Sequence, residues 1–324
     1  MSTVLIDNSL CVYTLKDNIS GGLIYDYIEA LRDAGVRYVE LDFRAIMKMD
    51  ARLPEGIGYV FRLMDPMFVG FAKELKFDYL LITTSDLEKG IQSDIPVMLE
   101  CQTDDGVAAG RITRVAMQMV DGEITAVRLR KSFPMLSVQG SRDWRIAARN
   151  AIMIPMDICP MNECRTALDT ALKFTKENVD SLTLTMGSPE RYCSMEEYII
   201  TLMTVFDALP SNYDLNALCK ASVYQNAIFR NGNVVGISRL LNIIDCDSQL
   251  LVNADTGEKV NLKAIVRKRH NMRTQYVTAL ESLARRDNWQ PEDYKMITDT
   301  LKRFGDSFYS SDLLNRDKHT GFPN

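Results

Sequence analysis

The chain has 324 residues, 46% of them hydrophobic and 25% charged, with a formal net charge of −5. That is the balance of an ordinary globular protein, long enough for one large core and a smaller appendage. An acidic chain argues against nucleic acid as a partner, and no apolar run reaches the roughly 18 residues of a membrane span. The start Met1-Ser2-Thr3-Val4-Leu5-Ile6-Asp7 reaches an acid before any apolar stretch, unlike a secretory leader. The seven cysteines form no Cys-x-x-Cys pair, so reduced thiols in a cytoplasmic protein are expected.

In chain order, short apolar runs alternate with helical spacing. Strands are predicted at Val4–Leu10, Tyr38–Phe43, Tyr59–Met64, Tyr79–Thr83, Val97–Gln102, Ile124–Lys131, Ile152–Cys159 and Leu182–Met186. Leu23, Tyr27, Ile28 and Leu31 make one helical face before Gly35, and Ala167, Ala171 and Phe174 make another. Strands separated by helical segments pair in parallel through crossovers, and eight of them in about 200 residues fit a (β/α)₈ barrel. Domain organisation follows as a barrel over residues 1–210 and a mostly helical C-terminal subdomain over 211–324. Within the latter, Tyr213–Ser222, Tyr276–Arg285 and Glu292–Phe304 read as helices. Leu250–Val260 reads as a hairpin or extended loop around Asp255-Thr256-Gly257.

Alternation along each strand predicts which side chains enter the barrel. With apolar residues assigned to the outer helices, the inward set is Leu5, Asp7 and Ser9; Tyr38, Glu40 and Asp42; Met98, Glu100 and Gln102; Arg128 and Arg130; and Thr183 and Thr185. The polar ones lie toward the C-terminal ends of their strands, where barrel active sites are built. Arg128 and Arg130 suit a small carboxylate, since guanidinium grips carboxylate with two parallel bonds, and Gln102, Thr183 and Thr185 would line the same site. Glu40, Glu100 and Asp7 are the candidate acids and bases. Lys131 is a candidate Schiff-base amine, or a solvated charge at a strand end. The alternative for the whole cluster is a set of buried ion pairs that only neutralise one another.

Other patterns are weaker. Cys11, Cys101, Cys159 and Cys193 each stand at or just past a strand end, but four ligands on four strands without local pairing fit no zinc spacing. They read better as small buried apolar groups. Gly187-Ser188-Pro189 either presents amides to an anion or is a plain turn into a helix capped by Ser194, with Ser194-x-x-Glu197 as the cap signature.

The stretch Thr183–Glu197 also carries a family resemblance. Its Glu190, Arg191, Glu196 and Glu197 resemble the Gly-Glu-Arg-x-Gly-Asn turn and following Leu-Glu-Glu of the 2-isopropylmalate synthase and homocitrate synthase family. Ala34-Gly35-Val36-Arg37-Tyr38-Val39-Glu40 is similar to that family's Ala-Gly-Val-x-x-Ile-Glu, and Lys268-Arg269-His270-Asn271-Met272-Arg273 to its Gly-Lys-His-Ser-Gly-Arg. The resemblance implies a homodimer contacting through the C-terminal segment.

It also implies a metal-dependent condensation with an acyl-CoA, and there the match breaks down. Asp7-Asn8-Ser9-Leu10-Cys11-Val12 falls on the family's Asp-Thr-Thr-Leu-Arg-Asp, with Cys11 for the arginine and Val12 for a metal ligand. A rival register through Thr14-Leu15-Lys16-Asp17 keeps an acid in Asp17. Ser194 stands for the metal-binding Asn. The His-x-His of the seventh strand falls on Ile158 and Pro160, or on Cys159 and Met161. The two histidines of the chain, His270 and His319, lie beyond the barrel. The expectation is a protein with no metal or other cofactor that acts on a small 2-oxo acid or other carboxylate. A pseudoenzyme that senses a ligand or binds a partner is the alternative, with a residual metal site at Asp17 as a third.

Overall fold

The structure, a computed structural model, describes residues 3–89, 91, 93–102, 124–132, 155–162, 166–176, 178–187, 191–206 and 213–230, with short stretches at 244–245, 250–252, 259–261, 267, 270–271 and 274. Eight parallel strands close on one another in sequence order: β1 (Val4–Asp7), β2 (Tyr38–Leu41), β3 (Gly58–Arg62), β4 (Tyr79–Thr83), β5 (Val97–Gln102), β6 (Ala126–Ser132), β7 (Met156–Met161) and β8 (Ser181–Leu184). Closure is made by β1 on β8, with Val4 to Asp7 in register with Ser181 to Leu184. The chain is a (β/α)₈ barrel, with each described crossover helical.

Local chemistry sets the helices. A short α1 (Ser9–Val12) follows β1 directly, and α2 (Gly21–Asp33) begins where the Ser20 hydroxyl accepts the Leu23 amide. Buried Ile24, Tyr27, Ile28 and Leu31 form the inner face of α2. Gly35 ends this helix at φ +95°, which lets the Val36 amide return to the Leu31 carbonyl. Farther along come α3 (Phe43–Lys48), capped by Asp42, then α4 (Val69–Glu74) and α5 (Thr84–Glu88). After β7 and β8 come α6 (Ala167–Lys176) and α7 (Met195–Val205), the latter capped by the Ser194 hydroxyl as its spacing predicts.

Beyond residue 210, α8 (Leu215–Ile228) packs on α2, and Phe229 at its end meets the Tyr27 ring edge-on at 6.0 Å. The expected hairpin is present as β10 (Leu250–Val252) antiparallel to β11 (Lys259–Asn261), with β9 (Ile244–Asp245) on the other side. The helices expected after β5 and β6, and those over Tyr276–Arg285 and Glu292–Phe304, lie outside the described residues.

The barrel interior is layered. Ile6, Val60, Leu81, Met98 and Ala126 form a dry plug, with Tyr38 and Tyr79 against it. Because side chains alternate, the plug fixes the parity of each strand. Glu40, Arg62, Glu100, Arg128 and Arg130 face the lumen as the next layers. On β1 the parity reverses the expectation. Ile6 takes the lumen, so Leu5 and Asp7 face the helices, and Ser9 follows them by bonding to Asp7. The polar-inward rule fails here because the helix side offers Asp7 a hydroxyl partner, Tyr27 of α2.

Candidate active site at the barrel mouth

Above the apolar plug, six ionised groups meet. Arg128 is fully buried, and its Nε donates to Asp157 at 2.5 Å while its Nη1 donates to Glu40. Arg62 donates from Nε to Glu40 at 2.5 Å and grips Glu100 with both Nη atoms at 3.2 and 2.8 Å. Arg130 reaches Glu100 from Nη1 at 3.3 Å and the Tyr192 hydroxyl from Nη2 at 2.8 Å, with its guanidinium carbon 5.4 Å from the Tyr192 ring centre. The Thr183 hydroxyl donates to Asp157 at 2.6 Å, as does the Ser181 hydroxyl at 2.8 Å. Three acids therefore balance three arginines in formal charge.

Burial does not fall evenly across the network. The carboxylates of Glu40, Glu100 and Asp157 are sealed, and so is Arg128. The side chains of Arg62 and Arg130 stay 26% and 18% exposed, toward the open end. Burial opposes ionisation of Glu40, but Arg62 and Arg128 overcome it and hold its carboxyl below the usual range. At Glu100 the same opposition ends at about 2, chiefly through Arg62 with help from Arg128 and Arg130. Burial likewise works against the charge of Arg130, and Glu100 restores it. Both glutamates are thus fixed as anions across the physiological range, which suits them to hold arginines in place rather than to donate protons.

The network gathers Glu40, Glu100, Arg128, Arg130 and Thr183 at one place, and adds three residues the sequence reading left out: Arg62, Asp157 and Tyr192. Arg62 stands two residues after lumen-facing Val60, so a firm β3 parity would have found it. Asp157 was visible as an acid in β7, although that segment drew notice only for its missing histidines. Tyr192 had no local signal; a bridge to Met161 and the Arg191 carbonyl accepting from the Asn162 amide bring it over β7. Thr185 bonds Asn8 at 2.5 Å rather than joining the ion pairs.

One further candidate, Asp7, stands apart. Asp7 lies behind the barrel wall, fully buried, accepting the Ser9 amide at 3.2 Å, the Ser9 hydroxyl at 2.7 Å and the Tyr27 hydroxyl at 3.2 Å. With no cation beside it among the described residues, burial pushes its carboxyl up to about 7 against those hydrogen bonds. Gln102 pairs with Arg130 and Lys131 with Pro160 in strand register, but both side chains lie outside the described residues.

The donor set does not fit the divalent metal that the synthase resemblance implies. The lumen positions at the end of β7 are Cys159 and Met161. Burial pushes the Cys159 thiol up to about 12 despite Arg128, leaving it a poor ligand. Each lumen carboxylate already holds a guanidinium. Asp17, the residual candidate, is an exposed acid paired with Arg230. Among the described residues no three His, Cys, Asp or Glu converge as metal ligands.

Of the anion-turn candidate only Gly187 is described, and Ser188 and Pro189 lie outside the described residues. The Gly187 amide donates to both Glu196 oxygens, at 2.9 and 2.8 Å, and is consumed within the turn.

Solved structures share this architecture. Hydroxymethylglutaryl-CoA lyase from Pseudomonas aeruginosa superposes with a TM-score of 0.59 at 14% identity, covering 74% of this chain and 97% of that one. The N-terminal domain of a putative aldolase from Bacteroides vulgatus gives 0.53 at 13%, over 69% and 86%. The carboxyl transferase domain of Rhizobium etli pyruvate carboxylase, solved with pyruvate, gives 0.53 at 12%, over 70% and 47%. What they share with this chain is the fold. No family model matches the sequence, and no curated protein matches it. The barrel is therefore of the kind found in these lyase, aldolase and carboxyl transferase proteins, with a mouth furnished by arginines.

Proposed function

We propose that this protein binds a small carboxylate, of the 2-oxo acid class, at the mouth of its barrel between Arg62, Arg130 and Tyr192. It does so without a metal-dependent acyl-CoA condensation. The observation that carries this is the state of Arg130. Its guanidinium is partly open to solvent, and among the described residues its one carboxylate contact is a 3.3 Å bond to Glu100, which Arg62 already grips twice. A desolvated acid beneath two rim arginines holds them rigid, and such preorganised forks favour an incoming carboxylate. The carboxyl transferase barrels solved with pyruvate and with 3-hydroxypyruvate support the ligand class.

Binding takes precedence over turnover in this reading, because Glu40 and Glu100 are locked as anions and give no proton donor. The second reading is a repurposed lyase or transferase, favoured by the likeness to lyase and aldolase barrels, in which Glu100 acts as base. The homodimer through the C-terminal segment belongs to the same proposal. So does a cytoplasmic setting, in keeping with seven cysteines that form no Cys-x-x-Cys pair.

The test is a thermal-shift screen with pyruvate, other small carboxylates and the neutral amide pyruvamide, with and without EDTA. Ligand at a hundred times its Kd stabilises by about 2.7 kcal/mol. Stabilisation by carboxylates but not by the amide, unaffected by EDTA, is the expected result. No response to any carboxylate contradicts the proposal, and disappearance of a bound carboxylate over time decides for turnover.

A further inference from the structure

We infer that the Tyr192 hydroxyl is a place-holder that occupies the ligand's own position on Arg130, and so sets the threshold for which ligands bind. This deepens the proposed carboxylate site and rests on it. A carboxylate that takes a guanidinium in the two-bond mode needs two neighbouring N–H groups. On Arg130, Nη1 is turned to Glu100, and Nη2 is held by the Tyr192 hydroxyl at 2.8 Å. The phenol oxygen therefore stands where a ligand oxygen would stand.

The geometry lets the side chain leave while the backbone stays. Tyr192 is bridged to Met161, the preceding carbonyl of Arg191 accepts from Asn162 at 2.9 Å, and the following carbonyl of Cys193 accepts from Thr185 at 3.0 Å. Both flanks of the residue are thus tied to strand ends, and its own side chain is only partly buried. Rotation of that side chain is the smallest movement that clears Nη2. With the phenol only the donor is charged, whereas with a carboxylate both partners are, and a second parallel bond adds to the first. A carboxylate displaces the hydroxyl with a net gain, and a neutral carbonyl or alcohol of equal shape exchanges like for like. The ring, lying against the guanidinium, remains as a wall of the site.

Tyr192→Phe tests this, because it keeps the ring and removes only the competing oxygen. Titrate pyruvate into the full-length wild-type and Tyr192→Phe proteins by calorimetry. The competing bond has a charged donor, so the variant is expected to bind about ten- to a hundredfold more tightly. Binding by the variant alone, with none by the wild type, supports the same role in a stronger form. Equal or weaker binding by the variant overturns the place-holder and leaves the carboxylate site standing, with the hydroxyl a direct ligand contact or a bystander. Binding by neither protein overturns both. Tyr192→Leu separates ring from hydroxyl: weaker binding than Tyr192→Phe is expected, and tighter binding contradicts the role given to the ring.

Discussion

Asp7 and Glu100 are buried acids on opposite sides of the same barrel wall. Burial makes ionisation costly for both, yet Asp7 is pushed up to about 7 and Glu100 is held at about 2. The difference lies in their partners. Glu100 faces Arg62, Arg128 and Arg130, whereas among the described residues Asp7 has neutral donors, the hydroxyls of Ser9 and Tyr27 and the backbone amides of Ser9 and Met186. Neutral donors soften the penalty of a buried charge, and guanidinium groups reverse it. An acid at the end of a barrel strand is therefore no guide to catalysis until its parity and its cation are known.

Breaking the lumen side should have the largest effect. Arg128→Met leaves Glu40 and Asp157 sealed without their shared cation, and a loss of about 3–5 kcal/mol is expected by urea unfolding. A loss below about 1 kcal/mol would mean that the carboxylates find other partners.

The two acids should also give opposite pH slopes. Asp7 has a folded pKa above its ordinary 3.8, so the folded state prefers the proton. Stability then falls as pH rises from about 4 through about 7, by something on the order of 4 kcal/mol as an upper bound. Glu100 has a folded pKa below its ordinary 4.5. Its contribution is complete above that value and fades as pH falls toward about 2. Asp7→Asn should therefore stabilise the protein at pH 8 relative to pH 5 and flatten the upper slope in urea titrations. Glu100→Gln should leave the upper slope alone. An unchanged slope in Asp7→Asn would remove the contrast drawn here.

Smaller effects sharpen the supports of the site. Gly187 has φ +83°, and a Cβ there would stand 2.6 Å from the Gln225 amide. Gly187→Ala is expected to lower stability by about 1–3 kcal/mol in thermal unfolding. Ser194→Ala removes the cap of α7 for about 1 kcal/mol. Arg130→Gln, at the half-open rim, should lower stability least, by about 1 kcal/mol or less.

The sequence was a good guide to the barrel. Its strands carry apolar runs bounded by turns, and six of the eight begin within one residue of their predicted start; β6 and β7 begin two and four residues later. Glu40, Glu100, Arg128 and Arg130 were legible because apolar neighbours such as Val39, Leu41, Val127 and Leu129 fixed the parity of β2 and β6. Asp7 was misread because β1 offers an apolar residue to each face, Leu5 to the helices and Ile6 to the plug, so alternation alone does not choose between them. Tyr192 was invisible because its place depends on pairing with Met161, thirty-one positions away in sequence. The pairing of each arginine with its acids was equally out of reach, since it joins strands far apart in the chain.

The account's central claim is that the rim arginines hold a carboxylate. The most direct measurement is calorimetric titration of pyruvate into wild type and Arg130→Gln, with a cooperative unfolding transition in both as the control for fold. Saturable binding to the wild type, lost or weakened at least tenfold in the variant, is the predicted result. Binding of the same strength to both proteins would contradict it.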